Sequence, residues 1–158
     1  MNNIPSDFFT DYTEIIENLY VGNKRSVHDF EPNKMTLIVN CTKSIPFQTN
    51  SYKKIRLPID NSDNDSVNLY DYINKTRVLE EMNKCLFYNK CVLVHCRMGI
   101  RRSCLVVACY LIKYHKLTPK QAIFFIKKKR PIAFSGGNLK FMDTLNLIYN
   151  NSQNTYCI

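Results

Sequence analysis

The chain has 158 residues, of which 45% are hydrophobic and 22% are charged, and this balance is typical of a folded globular domain. Its length is enough to bury a core without disulfide or metal staples, so we predict a single domain over residues 1–158. The net charge of +9 favours acidic partners, but a basic and well-solvated surface would explain the charge equally well. We therefore expect no dedicated nucleic-acid or membrane partner.

The cysteines do not form the pattern of a disulfide framework. There are seven, an odd number, and Cys91, Cys104 and Cys109 stand among apolar residues, where a free thiol acts as a small hydrophobic side chain. No signal peptide is visible, and the longest apolar run, from Cys104 to Ile112, is about half the length of a membrane helix. We therefore expect a reducing, cytoplasmic compartment. No His/Cys grouping has zinc-site spacing, so we expect no metal and no cofactor.

The first half of the chain predicts three short strands and a long helix. Asp11 to Asn18 is acidic and predicts a short helix or a lead-in segment, whereas Asn18 to Asn23 predicts a strand that ends in a Gly-Asn turn. Met35 to Asn40 is an apolar run typical of a buried strand, and Tyr52 to Ile59 alternates enough to form another. The spacing of apolar residues then predicts a helix from Val67 to Phe87.

The second half predicts a strand, from Cys91 to Val94, followed by helices. Apolar residues over 105–112 predict one helix, and the next begins at a strong start signal, with Thr118 at the N-cap, proline at the first position and glutamine at the third. That helix should end before Arg130, because a residue that precedes proline is pushed out of the helical region. Asn138 can cap a last helix. Strands that alternate with helices predict an α/β fold, with a central, mostly parallel sheet of four to five strands flanked by helices on both faces.

The segment from His95 to Ser103 joins the predicted strand to a helix and carries the candidate chemistry. Five residues separate Cys96 from Arg102, enough for a loop whose backbone N–H groups turn inward and bind an anion beside a helix N-terminus. Gly99 relieves the steric limit at the turn, and Arg102 can donate two parallel hydrogen bonds to phosphate oxygens. The predicted phosphate-binding residues are therefore Arg97, Met98, Gly99, Ile100, Arg101 and Arg102.

Cys96 lies where the field that holds phosphate would also stabilise a sulfur anion, so we expect a thiolate at neutral pH. A thiolate can attack phosphorus in line and form a cysteinyl-phosphate intermediate. Ser103 can donate a hydrogen bond to the sulfur and help it leave in the second step. His95 is expected to orient the loop, because the thiolate needs no general base.

The leaving oxygen needs a proton from a general acid elsewhere in the chain. The polar segment after Leu57-Pro58-Ile59 contains three candidate carboxylates, Asp60, Asp63 and Asp65. A solvated acidic loop explains at least two of the three, and the residues alone leave the choice open.

The motif His95-Cys96-x5-Arg102-Ser103 after a valine-rich strand resembles the signature of the dual-specificity protein phosphatases, within the protein-tyrosine-phosphatase superfamily. The resemblance covers most of the chain. Asn18 to Asn23 is similar to the family's "LYLGN" strand, Leu37 to Asn40 to its "VLN" strand, and Ala108 to Ile112 to its "AYLM" helix. Thr118 to Pro131 is similar to the helix that follows and to its Arg-Pro ending. The compact size resembles the poxvirus and small atypical members.

The resemblance implies a phosphatase-like fold and hydrolysis of phosphotyrosine and phosphoserine or phosphothreonine in proteins. Family members commonly place the general acid three residues after the loop proline, where this chain has Asn61, so the resemblance favours the adjacent Asp60, with Asp63 as the alternative. Arg97 and Arg101 make the loop unusually basic, which keeps a phosphoinositide or RNA 5′-phosphatase as the alternative function. An inactive phosphate-binding module ranks last, because the chain retains the cysteine and the arginine. The predicted partner is a phosphorylated protein, and nothing in the sequence supports a homodimer.

Overall fold

The computed structural model describes residues 10–29, 35–48, 52–59, 63–136 and 141–154. Strands and helices alternate along these residues, as predicted for an α/β fold. In chain order the elements are β1 (Tyr12–Ile16), β2 (Leu19–Gly22), α1 (Ser26–Asp29), β3 (Met35–Asn40), β4 (Lys53–Arg56), α2 (Asp63–Thr76), α3 (Val78–Phe87), β5 (Cys91–His95), α4 (Arg102–His115), α5 (Pro119–Lys129) and α6 (Phe141–Asn154).

Within the described residues the sheet has five strands, in the order β1-β2-β5-β3-β4. Only the edge pair β1–β2 is antiparallel, and the pairs β2–β5, β5–β3 and β3–β4 are parallel. The prediction of a central, mostly parallel sheet is therefore confirmed.

Helices lie on both faces of this sheet, in unequal amounts. Val92 and Val94 of β5 face the larger core, to which α2, α3, α4, α5 and α6 all contribute buried side chains. Leu93, which points to the opposite face, belongs to a small cluster with Ile38 and with Val27 of α1. Both faces of β5 are buried, so its residues are apolar in an unbroken run and do not alternate with polar ones.

Two local predictions are wrong. The predicted helix or lead-in over Asp11 to Asn18 is the strand β1, whose β-branched Thr13, Ile15 and Ile16 favour an extended chain that pairs with β2. The single helix predicted from Val67 to Phe87 is two helices, because Arg77 between them has a φ of +55° and interrupts the helical path.

The start of α5 follows its prediction in atomic detail. Thr118 Oγ1 accepts a hydrogen bond from the Gln121 backbone N–H, and the Gln121 side chain accepts one from the Thr118 N–H, which completes the capping box. The helix ends at Lys129, directly before Arg130. The predicted cap Asn138 lies outside the described residues. None of the helices among the described residues is long and apolar enough to cross a membrane.

The strand register decides where the loops meet. Gly22 of β2 and Asn40 of β3 both pair with His95, the last residue of β5. The carboxyl ends of these three strands therefore lie side by side, and the loops that follow them form one edge of the sheet, which is the usual place for a site in an α/β fold.

Candidate active site

The phosphate loop, defined here as residues 96–101, lies at the centre of this edge. Cys96 directly follows β5, and Arg102 is the first residue of α4. Gly99 has a φ of +66°, in the left-handed region that glycine adopts without strain. A side chain at this position would also collide with its surroundings, because an added Cβ would lie 2.8 Å from the Gly22 carbonyl carbon and 2.9 Å from the Asn23 nitrogen.

Carbonyl groups of the loop are held from outside by other segments. The Lys24 N–H donates to the Arg97 carbonyl at 3.1 Å, and the Phe134 N–H donates to the Ile100 carbonyl at 2.7 Å. With its carbonyls turned outward, the loop can direct N–H groups toward its centre, as in an anion-binding nest.

Arg130 fixes the middle of the loop and was not identified from the sequence as a site residue. It is only 3% exposed, and its Nε donates to the Gly99 carbonyl at 2.8 Å. Its Nη1 donates to Thr13 Oγ1 at 2.8 Å and to the Thr10 carbonyl at 3.0 Å. Arg130 therefore ties the loop to the start of β1. The sequence feature that marks Arg130 is its position after three lysines and directly before a proline.

The Cys96 sulfur lies on the floor of the loop. Cys96 is 2% exposed, the Gly99 N–H donates to its sulfur at 3.2 Å, and Ser103 Oγ lies 3.2 Å from it. Both groups can stabilise a sulfur anion, and the serine was predicted to do so. Cys104 differs, because its sulfur is the donor in a contact of 3.6 Å to the Gly99 carbonyl.

The neighbouring cysteines have environments that favour the neutral thiol. Burial raises the pKa of Cys41 and of Cys104, and the nearby Cys96 raises both further. Burial also raises the pKa of Cys109, to about 12. These thiols stay protonated at neutral pH, when they are poor nucleophiles.

Arg102 carries an unsatisfied donor and lines the same cavity as Cys96. Its Nη1 donates to the Ile59 carbonyl at 2.8 Å, whereas its Nε is buried. Among the residues that the structure describes, this Nε is the only buried side-chain nitrogen or oxygen atom that lacks a hydrogen-bond partner. A buried donor that stays unpaired lowers the free energy of unfolding by about 1–3 kcal/mol. A bound oxyanion would supply the missing acceptor.

A cavity of about 210 Å³ opens over the sulfur. Met98, at its mouth, is 61% exposed, and Arg101 is held by hydrogen bonds from its guanidinium to the Ser135 and Gly136 carbonyls. The residues that line the cavity are Cys96, Met98, Ile100, Arg101, Arg102 and Ser135. It is small and open, which suits one phosphoryl group better than a deep ligand.

His95 lies behind the loop, as expected of a residue that orients it. It is 1% exposed, and its Nδ1 lies 3.4 Å from the Cys96 carbonyl, to which it can donate. Burial lowers the pKa of His95 to about 4, although the contact with the Cys96 carbonyl acts in the opposite direction. The ring is therefore neutral at pH 7 and carries no charge to the site.

Arg97 was also predicted to bind phosphate, but it is not among the residues that line this cavity. Arg97 is exposed and lines a neighbouring groove together with Lys24. The preferred general acid, Asp60, lies outside the described residues, although Ile59 before it contacts Arg102. The alternatives Asp63 and Asp65 belong to the first turn of α2, and the structure does not describe their side chains.

Comparison with known proteins agrees with this geometry. A family model described as "Dual specificity phosphatase, catalytic domain" matches residues 19–151. The chain is 33% identical over 122 residues to "Putative tyrosine phosphatase 123R" of Invertebrate iridescent virus 6, covering 77% of this chain and 82% of that protein. It is 30% identical over 125 residues to human "Dual specificity protein phosphatase 16", covering 75% of this chain but only 18% of that protein. The crystal structure of human DUSP28 superimposes with a TM-score of 0.80 at 21% identity, covering 91% of this chain and 96% of that one.

Proposed function

This chain belongs to the dual specificity phosphatase catalytic-domain family and is a cysteine-dependent protein phosphatase, and on that premise we propose that Cys96 is its nucleophile and Arg102 its phosphate clamp. The observation that carries the proposal is the buried and unpartnered Nε of Arg102, a residue that lines the same cavity as the buried Cys96. A phosphoryl group in the cavity would accept from this Nε and place its phosphorus near the sulfur. We also propose that residues 1–158 act as one catalytic domain.

The proposed reaction has two steps. The Cys96 thiolate attacks phosphorus, a P–S bond forms, and the P–O bond to the substrate breaks while a general acid protonates the leaving oxygen. Water then attacks the cysteinyl-phosphate, the P–S bond breaks, and inorganic phosphate leaves. The Ser103 hydroxyl, 3.2 Å from the sulfur, can donate to it as negative charge returns in the second step.

Asp60 is the proposed general acid, with Asp63 and Asp65 as alternatives. Arg102 Nη1 donates to the carbonyl of Ile59, the residue before Asp60, so the backbone enters this acidic segment in contact with the clamp. Its choice is supported by the resemblance and by its place in the sequence directly after Ile59, which contacts Arg102.

The proposed substrates are phosphorylated proteins that carry phosphotyrosine or phosphoserine and phosphothreonine. A shallow cavity accepts the short serine and threonine side chains as well as the longer tyrosine. The phosphoinositide or RNA alternative depended on the two extra arginines of the loop. Arg101 is engaged by the carbonyls of Ser135 and Gly136, and Arg97 lines a separate groove, which makes a deep polyphosphate pocket over Cys96 less favourable.

A reducing, cytoplasmic compartment is the proposed location. Cys41, Cys85, Cys91, Cys96, Cys104 and Cys109 are all buried free thiols. A nucleophilic thiolate also needs a reducing environment to stay unoxidised.

The nucleophile is tested by Cys96→Ser, with Cys109→Ser as a control, since Cys109 is also buried. We expect Cys96→Ser to lose turnover of an aryl phosphate while it still binds inorganic phosphate, and Cys109→Ser to remain active. If Cys96→Ser hydrolysed the aryl phosphate at the parent rate, the mechanism would be wrong. A panel of phosphopeptides, phosphoinositide vesicles and 5′-triphosphate RNA then tests the substrate class.

The general acid is tested by comparing the Asn variants of Asp60, Asp63 and Asp65 across pH. A general acid must be protonated, so its loss should remove the fall in rate on the alkaline side of the profile. We expect this change in Asp60→Asn only. An unchanged profile in that variant, with the alkaline fall lost in another, would reassign the role.

A further inference from the structure

The outer side of α5 carries lysines around a single aromatic ring and has no role in the proposed chemistry. Pro119, Ala122 and Ile126 are buried and fix the inner side of the helix to the domain. On the outer side, Phe124 is 70% exposed. An α-helix brings the residues three and four positions away onto the same side as Phe124. This outer side, called here the lysine face, consists of five exposed residues: Lys120, Gln121, Phe124, Lys127 and Lys128.

The charges of the chain are segregated along the sequence, and the lysine face lies in the wholly basic part. Between Glu81 and Asp143 the sequence has thirteen lysines and arginines and no aspartate or glutamate. The rest of the chain has nine lysines and arginines against thirteen acids. Such an asymmetry is typical of chains that bind an extended anionic partner. The net charge, from which we expected no membrane partner, does not reveal this segregation.

The stability of the helix explains only part of the lysine face. Cations in the last turn of a helix oppose its dipole, and Lys127 also donates to the Ala133 carbonyl at 3.3 Å. Lys120 lies in the first turn, where the dipole makes a cation unfavourable. Neither effect explains why a phenylalanine is left in water among lysines. Lys120 and Phe124 therefore need another explanation.

The chemistry of the lysine face fits a lipid bilayer better than a peptide or a nucleic acid. An arginine fork binds phosphate or carboxylate in a fixed geometry, whereas an ammonium is a hydrated point charge. The cations of the face are all lysines, which suits lipid headgroups whose positions are not fixed. A phenylalanine ring can enter the boundary between headgroups and acyl chains, while the long lysine side chains keep their ammonium groups at the headgroups.

A second exposed phenylalanine, at the end of α3, serves as a comparison. Phe87 is 77% exposed, but its ring packs edge-on against that of Tyr88, with the ring centroids 5.3 Å apart. The same helix carries Glu80 and Glu81, so the charges along it are mixed. Phe124 differs from Phe87 because α5 contains four cations, of which three flank the ring, and no acid.

We propose that the lysine face binds the surface of an anionic lipid bilayer, with Phe124 inserted among the headgroups. The bilayer is here a docking surface and not the substrate. The helix ends at Lys129, and the next residue, Arg130, donates to the Gly99 carbonyl of the phosphate loop at 2.8 Å. Binding through α5 therefore brings the catalytic edge of the domain close to the bilayer, where it meets phosphorylated proteins attached to the same membrane.

The test is sedimentation of the whole chain with vesicles of two compositions, either pure phosphatidylcholine or equal parts of phosphatidylcholine and phosphatidylserine. We expect binding to the mixed vesicles only, with an affinity that falls as the salt concentration rises. Each lysine near an anionic surface contributes roughly fivefold in affinity. The double variant Lys120→Ala/Lys128→Ala should therefore bind roughly twentyfold more weakly. Phe124→Ala should bind roughly fivefold or more weakly, because it loses the inserted ring.

The controls are matched in charge and in apolar area. Lys84→Ala/Lys90→Ala removes two exposed lysines that lie outside α5, and Phe87→Ala removes the comparison ring. We expect both controls to bind the mixed vesicles as the parent does. Turnover of a soluble aryl phosphate and the Tm should be the same in all variants, so a loss of vesicle binding cannot come from unfolding.

Several results would overturn the inference. Equal binding to both kinds of vesicle, an equal loss in the matched controls, or full binding by Phe124→Ala would each show that the lysine face does not dock as proposed. Binding of an acidic peptide or of RNA through Lys120 and Lys128, without binding of vesicles, would assign the face to that partner. The proposed function is tested independently, because no residue of the lysine face lines the cavity over Cys96.

Discussion

Replacing Arg130 by methionine tests how the phosphate loop is held. The substitution keeps most of the aliphatic volume of the side chain and removes all of its hydrogen-bond donors. In the parent these donors reach the carbonyls of Gly99 and Thr10 and the hydroxyl of Thr13. All three acceptors lose a charged partner at once, and the Gly99 carbonyl loses it in a buried position.

The expected cost follows from the burial of each contact. The bond to the Gly99 carbonyl is buried, so its loss leaves this acceptor without water and with only the weak donor Cys104 Sγ, and it costs about 2–3 kcal/mol. The bonds to Thr10 and Thr13 are partly buried, where water can take over, and together they contribute about 1 kcal/mol. A total of about 3–4 kcal/mol corresponds to a fall in Tm of roughly 10 °C for a chain of this size.

Thermal unfolding followed by circular dichroism measures this cost, with Lys129→Met as the matched control. Lys129 precedes Arg130 and is exposed, so its variant should stay within about 0.5 kcal/mol of the parent. Phosphate affinity, measured well below the Tm of both variants, should fall in Arg130→Met only, because the Gly99 peptide loses its anchor. Equal Tm values and equal phosphate affinities in the two variants would refute the reasoning.

Three further predictions concern the backbone, a buried histidine and a helix cap. Gly99→Ala should lower kcat/KM by about a hundredfold or more, because residue 99 has a φ of +66° and an added Cβ would lie 2.8 Å from the nearest backbone atom. Gly136→Ala should lower kcat/KM less, because its added Cβ would meet only a side chain. Burial lowers the pKa of His95 to about 4 in the folded chain, so the unfolded chain binds the proton more tightly. The free energy of unfolding, measured by urea denaturation, should therefore fall as the pH drops from about 6.5 toward 4. His95→Gln should remove that slope, and a variant of the exposed His115 should retain it. Thr118→Ala should lower the free energy of unfolding by about 1 kcal/mol.

The parts of the site that the sequence predicted are those with local signals. The apolar run of β5, the glycine within the loop and the arginine that starts α4 all lie in one short segment. The sulfur contacts of Gly99 and Ser103 are likewise between residues close in the chain. The capping box of Thr118 is equally local, and it was predicted to the residue.

The predictions that failed, and the residue that was missed, depend on contacts between distant segments. The acidic character of Asp11 to Asn18 suggested a helix, but the strand β1 forms because β2 offers it a backbone partner. Arg130 reaches Gly99 across 31 positions of sequence and Thr13 across 117, so the basic run and the proline around it mark its position but not its partners. The groove cations Lys24 and Arg97 meet only because the ends of β2 and β5 are in register.

The same register explains why the loop can be both short and rigid. A loop of six residues cannot satisfy its own carbonyls while it turns its N–H groups toward one anion, so the acceptors must be paired with groups from elsewhere. The loop after β2, the turn after α5 and the side chain of Arg130 supply those donors, through Lys24, Phe134 and the guanidinium. Anion binding at Cys96 should therefore be as sensitive to these three distant donors as to the motif itself. The Arg130→Met comparison measures this sensitivity without altering any residue of the motif.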